Sequence, residues 1–95
     1  MEVHPDIARL AALIDEMAAL CTKYENRWAT QLWTWREALL QSDAWGLHGF
    51  LQSFGGMGSL NDVVLDDDAH DNRFQALKED AWQLAHQLKR TATGV

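Results

Sequence analysis

Apolar residues recur every three or four positions along three long segments of this 95-residue chain, and this spacing restricts its fold more than any other feature. Such spacing places the apolar side chains on one face of an α-helix, and that face must be buried against another element. The chain is long enough for one domain only. The sequence therefore predicts a mainly α fold, a small bundle of about four helices, in a single domain over residues 1–95.

The predicted helices cover residues 5–22, 24–41, 44–54 and 72–90, with an irregular or short extended crossover at about 55–70. Proline is tolerated in a first helical turn, which favours a start at Pro5. The three long stripes consist of Ile7, Leu10, Ile14, Met17, Ala18 and Cys21, widened by Leu13 and Leu20; of Tyr24, Trp28, Leu32, Trp35 and Leu39; and of Phe74, Leu77, Ala81, Leu84, Ala85 and Leu88, flanked by Trp82.

The third predicted helix contains two glycines, Gly46 and Gly49. Glycine disfavours a helix, so we expect tertiary packing to hold this one together. A glycine also lacks a side chain, and the pair allows a neighbouring helix to approach closely.

A glycine-rich segment, Gly55-Gly56-Met57-Gly58-Ser59-Leu60-Asn61-Asp62, is the most unusual part of the sequence. It is not a phosphate loop, because no Gly-Lys-Ser/Thr follows, and no strand precedes it as in a dinucleotide site. One interpretation is a ligand site in which Ser59, Asn61 and Asp62 line a pocket or the backbone binds an anion. The other is a helix stop and tight turn whose polar side chains bond to local backbone.

The residues that follow, Val63-Val64-Leu65, favour a short extended stretch because two of them are β-branched. The spacing of Ser59 and Asp62 also fits a capping box, which would start a brief helix instead.

The string from Gly55 to Leu65 resembles small uncharacterised bacterial proteins that share a Gly-Gly-Met-Gly-Ser-(aromatic or Leu)-Asn-Asp motif. The resemblance covers about the second half of the chain. It implies a bacterial origin and makes the segment 55–62 the place to seek a site. It implies no activity, and Leu60 stands at the position associated with an aromatic residue.

Other reactive residue types favour structural roles. The acidic run 66–71 is conceivable as a calcium loop, but the glycine and glutamate of an EF-hand are absent, and we read it as a solvated loop before the last helix. The histidines at 4, 48, 70 and 86 lack metal-binding spacing. Cys21 lies on an apolar stripe and fits a buried core residue. We expect no metal site, no cofactor and no catalytic residue.

A second apolar set lies off the main face of the second helix: Trp33 and Leu40 with Ala29, beside Arg36. Tryptophan and arginine are enriched at the energetic centres of interfaces, so Trp33, Arg36 and Leu40 are the candidate partner-binding residues. The alternative is that Trp33 packs within the chain, beneath the third helix or the crossover, and the sequence supports both interpretations equally. Two apolar faces on one helix also predict a homodimer.

The chain carries 8 basic and 14 acidic residues, for a net charge of −6. This charge disfavours nucleic acid and anionic membranes and suits a basic protein partner. A single cysteine and the lack of a signal segment or a membrane-length apolar run favour a cytoplasmic protein. The function predicted is a regulatory or immunity-type protein-interaction module; the alternative is a small-ligand binder or enzyme with a pocket at the segment 55–62.

Overall fold

The computed structural model describes residues 5–41, 44–52 and 63–93. Within them the chain forms four helices and no strand: α1 (Pro5–Lys23), α2 (Trp28–Leu40), α3 (Ala44–Gln52) and α4 (Asp68–Thr93). The predicted all-α bundle is confirmed. None of these helices is both long and apolar enough to cross a membrane.

The centre of the bundle is α1, which packs against both α2 and α4, while α3 packs on α2 and touches α4. The three predicted stripes form the core, as periodicity requires. The buried residues of that core are Leu10, Ile14, Met17, Ala18, Cys21, Ala29, Leu32, Trp35, Leu39, Phe50, Val63, Leu65, Phe74, Leu77, Ala81, Leu84 and Ala85, and Ile7, Leu13, Leu20, Tyr24, Trp28 and Leu88 are partly buried against it.

A tight turn after α1 explains why the second helix begins at Trp28 rather than at the predicted residue 24. Asn26 donates its backbone N–H to the carbonyl of Cys21 at 2.8 Å, and Glu25 donates to Thr22 at 3.0 Å. This pair of bonds is a Schellman motif, which ends a helix in a left-handed residue. Glu25 is that residue, with φ of 54°.

The side chain of Asn26 then starts the next helix. Its Oδ1 accepts the backbone N–H of Trp28 at 2.9 Å, and its carbonyl accepts that of Ala29 at 3.1 Å. Tyr24 therefore lies in the corner between the helices and not on α2. Periodicity could not reveal this, because Tyr24 still faces the core at helical spacing.

The last helix begins at Asp68, four residues before the predicted start at residue 72, and it ends at Thr93 rather than at residue 90. Asp67 caps it: Oδ2 of Asp67 accepts the backbone N–H of His70 at 2.9 Å. Asp68 and Asp71 lie in the first turn, where negative charge is favoured. The acidic run is thus largely the first turn of α4 and not a loop.

The contact of α3 with α2 depends on its two glycines, as the sequence suggested. A Cβ atom on Gly46 would lie 2.8 Å from the carbonyl oxygen of Trp35 and 2.9 Å from the Cβ of Ala38. A Cβ on Gly49 would lie 2.5 Å from Nε1 of the Trp35 indole. Only glycine lets the two helices lie this close, because these distances are too short for any side chain.

Candidate functional site

The predicted ligand residues Ser59, Asn61 and Asp62 lie outside the described residues, as does the whole segment 55–62. The structure does describe the chain that follows directly, Val63 to Leu65, which forms neither helix nor strand. Val63 and Leu65 are buried and Val64 is exposed. This stretch is not part of the predicted ligand site, but it is the described part of the chain that follows that site directly.

Three polar side chains on one face of α4 bind the backbone of this stretch. Gln75 Nε2 and Lys78 Nζ both donate to the carbonyl of Val63, at 3.1 and 3.3 Å. The backbone N–H of Leu65 donates to Asp71 Oδ1 at 3.0 Å, and Gln75 also donates to that oxygen at 3.0 Å. Asp71, Gln75 and Lys78 share a face because they are spaced by four and three residues. We call them the α4 polar stripe.

Lys78 was not among the candidate residues predicted from the sequence. It is only 5% exposed, although lysine is rarely buried without a partner. Its ammonium lies 5.3 Å from the centre of the Phe74 ring, in addition to its bond to Val63. The one signal in the sequence was the polar spacing 71, 75, 78 beside an apolar stripe, which does not say how deeply Lys78 is buried.

The pKa values of two groups in this region, Asp71 of the stripe and Cys21 of α1, depart from their ordinary values. The hydrogen bond from Gln75, and then that from the Leu65 backbone, lower the pKa of Asp71, which therefore stays ionised. Burial raises the pKa of Cys21 to about 11, against a smaller lowering effect of Lys78. Cys21 is fully buried and stays a thiol at neutral pH, as expected of a core residue and not of a nucleophile.

A second polar contact joins the α1–α2 corner to the start of α4. The Tyr24 hydroxyl and His70 Nδ1 form a hydrogen bond, and Asp67 Oδ2 lies 3.3 Å from the same nitrogen. Burial raises the pKa of Tyr24, and the carboxylates of Asp67 and Asp66 raise it further. The phenol therefore remains protonated, which suits a structural tie between elements rather than a base or nucleophile.

Three of the four histidines are described. His48 is exposed, His70 and His86 are half-buried, and His4 lies outside the described residues. Among the described residues, no three side chains of the types that bind metals come together as a site.

The predicted partner-binding residues lie on one face of α2. Trp33 is 40% exposed and Leu40 is 38% exposed, with half-buried Arg36 between them. Exposed Glu37 shares the face because it follows Trp33 by four residues. We call Trp33, Arg36, Glu37 and Leu40 the α2 surface stripe. Ala29, which the sequence placed in this set, is buried in the core instead.

Acidic neighbours hold the Arg36 guanidinium within the stripe. Nη2 donates to Glu37 Oε1 at 2.9 Å. Nε lies 3.3 Å from Asp15 Oδ1 of α1 but makes no hydrogen bond within the described structure, although it is buried. The cation is therefore oriented by charge on both sides, and its donors are incompletely used.

Another tryptophan on the surface provides a comparison. Trp82 of α4 is 39% exposed, almost the same as Trp33. Its ring packs on the His86 imidazole with centroids 4.2 Å apart, and the nearby Gln83 and Glu79 bond to each other. Trp82 thus has polar surroundings, whereas Trp33 shares its face with a second large apolar side chain and an oriented arginine.

Comparison with known proteins gives one result. No curated protein and no solved structure matches the chain significantly. One family model matches residues 22–73, which is just over half of the chain and runs from the end of α1 through α2, α3 and the segment 55–62 into α4. The chain therefore belongs to the family described as a domain of unknown function, DUF6966.

Proposed function

We propose that the protein is a protein-interaction module, of a regulatory or immunity type, that binds its partner through the α2 surface stripe. The observation that carries the proposal is the exposure of Trp33 and Leu40 on either side of Arg36. Large apolar side chains exposed together on one face are uncommon on a surface that binds nothing, whereas single ones are ordinary.

The chemistry of the stripe suits the centre of an interface. Tryptophan and arginine dominate the binding energy of many interfaces, because both bury a large surface and form directed contacts. Asp15 and Glu37 restrict the Arg36 side chain before binding, which lowers the entropy lost on association. The net charge of −6 would speed the encounter with a basic partner.

The bacterial and cytoplasmic setting is part of the same proposal. It is supported by the resemblance of residues 55–65 to uncharacterised bacterial proteins and by the single, buried Cys21.

The test is affinity capture from a bacterial lysate with chemical crosslinking, using the wild type and the variant Trp33→Ala. We expect the wild type to retain a distinct crosslinked protein and Trp33→Ala to lose it, since the variant removes the largest side chain of the stripe. Trp82→Ala is the matched control, because Trp82 has the same exposure on another helix. If Trp33→Ala captures the same proteins as the wild type, the proposal is wrong.

A second candidate function is a small-ligand binder or enzyme at the segment 55–62, with Ser59, Asn61 and Asp62 as its ligand contacts. It is favoured by the α4 polar stripe, which brings a buried ammonium, an amide and a carboxylate to the backbone at the end of that segment. Backbone groups and a few converging polar side chains are typical of small-molecule sites.

An unbiased thermal-shift screen of small metabolites tests this candidate. We expect one compound class to raise the melting temperature of the wild type, and the double variant Asn61→Ala/Asp62→Ala to lose that increase. Trp33→Ala is the control, which should respond as the wild type does. A compound that stabilises the double variant equally would contradict the assignment.

A further inference from the structure

We infer that His70 is a pH-sensitive switch between the α1–α2 corner and the start of α4. The neutral imidazole accepts the Tyr24 hydroxyl at Nδ1, whereas the protonated imidazole donates the N–H of the same nitrogen to Asp67 and releases Tyr24. The observation that carries the inference is that both partners lie at one nitrogen. The hydroxyl is hydrogen-bonded to Nδ1, and Asp67 Oδ2 lies 3.3 Å from it.

A single ring nitrogen cannot bind both partners in the same protonation state. Nδ1 offers a lone pair before it binds a proton and an N–H afterwards. The phenol hydroxyl donates to the lone pair, whereas a carboxylate can only accept and therefore needs the N–H. The phenol oxygen can accept as well, but an N–H shared between a cation and a carboxylate forms the stronger bond. Protonation therefore exchanges Tyr24 for Asp67 as the partner of His70.

The cap of α4 holds Asp67 in position for this exchange. Oδ2 of Asp67 accepts the backbone N–H of His70 at 2.9 Å, which fixes the carboxylate beside the imidazole of the same residue. Charge-assisted bonds between nitrogen and a carboxylate oxygen are about 2.7–2.9 Å long. Nδ1 therefore needs to approach Oδ2 by only about 0.5 Å from its present 3.3 Å.

The proton that His70 gains comes from solvent and not from Tyr24. Burial, and then the carboxylates of Asp67 and Asp66, raise the pKa of the phenol, which keeps its own proton. The other charged residues on the elements that meet here are Lys23, Glu25 and Arg27 of the corner, Asp68 and Asp71 in the first turn of α4, and the ion pair of Glu16 with Arg73. Acidic groups outnumber basic ones in this set, which offsets the cost of a cation at a helix N-terminus.

An NMR titration from about pH 5 to 8, the range in which histidine ordinarily changes charge, tests the inference. Tyr24 is the only tyrosine of the chain, so a carbon-13 label at tyrosine Cζ gives one resonance that reports the hydrogen bond of its hydroxyl. We expect this resonance and the His70 imidazole to change with the same midpoint. A Cζ resonance that stays constant while His70 gains its proton would overturn the inference, as would a His70 that gains no proton in this range.

Two conservative variants separate the competing partners. Tyr24→Phe removes the donor to the neutral ring and should raise the His70 midpoint, whereas Asp67→Asn removes the charged acceptor of the protonated ring and should lower it. We expect each shift to be about half a pH unit. Phenylalanine keeps the ring packing and asparagine is a favoured helix cap, so neither change targets the fold.

The matched control for both variants is His86, which packs on Trp82 further along α4 and should titrate identically in all three proteins. Shifts of the His70 midpoint in the same direction, or no shift, would show that the two partners do not compete. Each variant tests its own half of the exchange, so one remains decisive if the other does not fold.

Hydrogen exchange measures whether the switch reaches the α1–α2 corner. The backbone N–H of Asn26 bonds to the Cys21 carbonyl in the turn that follows Tyr24. We expect its protection factor to fall about fivefold below the His70 midpoint, as the loss of one hydrogen bond predicts, and to be low at every pH in Tyr24→Phe. The amide of Leu32 in α2 should not change. Equal protection of Asn26 on both sides of the midpoint would contradict a switch between the two elements.

Discussion

The α2–α3 contact and the contact between α4 and Val63–Leu65 join parts of the same small core in opposite ways. The first exists because side chains are missing, at Gly46 and Gly49. The second exists because polar side chains, above all Lys78 and Asp71, replace backbone partners for a stretch that has no secondary structure. The first contact should therefore respond to added volume and ignore pH, whereas the second should respond to charge.

The largest effect is expected from Gly46→Ala. The new Cβ would meet the backbone oxygen of Trp35, which cannot rotate away, so α3 must move off α2. We expect a loss of about 3 kcal/mol in the free energy of unfolding, the upper end for overpacking, despite the gain of about 1 kcal/mol in helix propensity. Urea denaturation measures it.

Ala19→Gly on the exposed face of α1 is the control for Gly46→Ala, because it reports the propensity difference alone. If Gly46→Ala is as stable as the wild type, the glycine is not what sets the helix separation. Gly49→Ala should lose less than Gly46→Ala, since its nearest neighbour is a side chain.

The second-largest effect is expected from Lys78→Met, which should lower the free energy of unfolding by about 2 kcal/mol. Methionine keeps the packing on Phe74 but cannot donate to the Val63 carbonyl, and charge-assisted hydrogen bonds contribute about 1.5–3 kcal/mol each. Removing the cation should also raise the pKa of Asp71 toward its unfolded value and so reduce the loss of stability in acid. Urea denaturation at pH 7 and at acidic pH measures both effects. A more stable variant would show that the free-energy cost of burying the ammonium exceeds the stabilisation from its contacts with Val63 and Phe74.

The smallest effect concerns Asp71 and pH. Its pKa is lowered in the folded state, so its stabilising contribution is complete above the ordinary value near 3.9 and is lost as the pH falls through the folded value. We expect wild-type stability to decline below about pH 5 and Asp71→Asn to decline less. The half-exposed carboxylate is screened by solvent, which keeps the effect small.

The measurement of stability against pH also needs a control for Glu16. The hydrogen bond from Arg73 lowers the pKa of Glu16 as well, so Glu16 adds to the loss of stability in acid. Glu16→Gln removes that second source of acid sensitivity. If Asp71→Asn and the wild type lose stability in parallel, the contact of α4 with Leu65 does not depend on charge, and the contrast between the two contacts fails.

The long helices were predictable from sequence because burial imposes a period of 3.6 residues, and α1 matches to within one residue. The residues at which the helices begin and end were less predictable. The sequence analysis missed the cap at Asp67, although aspartate is a favoured capping residue. It also missed the left-handed Glu25, because that position normally selects glycine.

The spacing of Trp33 and Leu40 predicted that they share a face of α2. It could not predict whether another element covers that face. Ala29 has the same spacing but is buried in the core, and the spacing alone could not predict that difference. The burial of Lys78 could not be predicted, because it depends on where the Val63 carbonyl lies, 15 residues earlier in the chain.

Because Cys21 is buried, its reaction with an alkylating reagent measures how often the bundle opens. The thiol lies in the core with no exposed surface and with a pKa near 11, so an alkylating reagent can reach it only when the helices separate. Since Cys21 is the chain's single cysteine, the rate of labelling under native conditions counts those separations without any engineered probe.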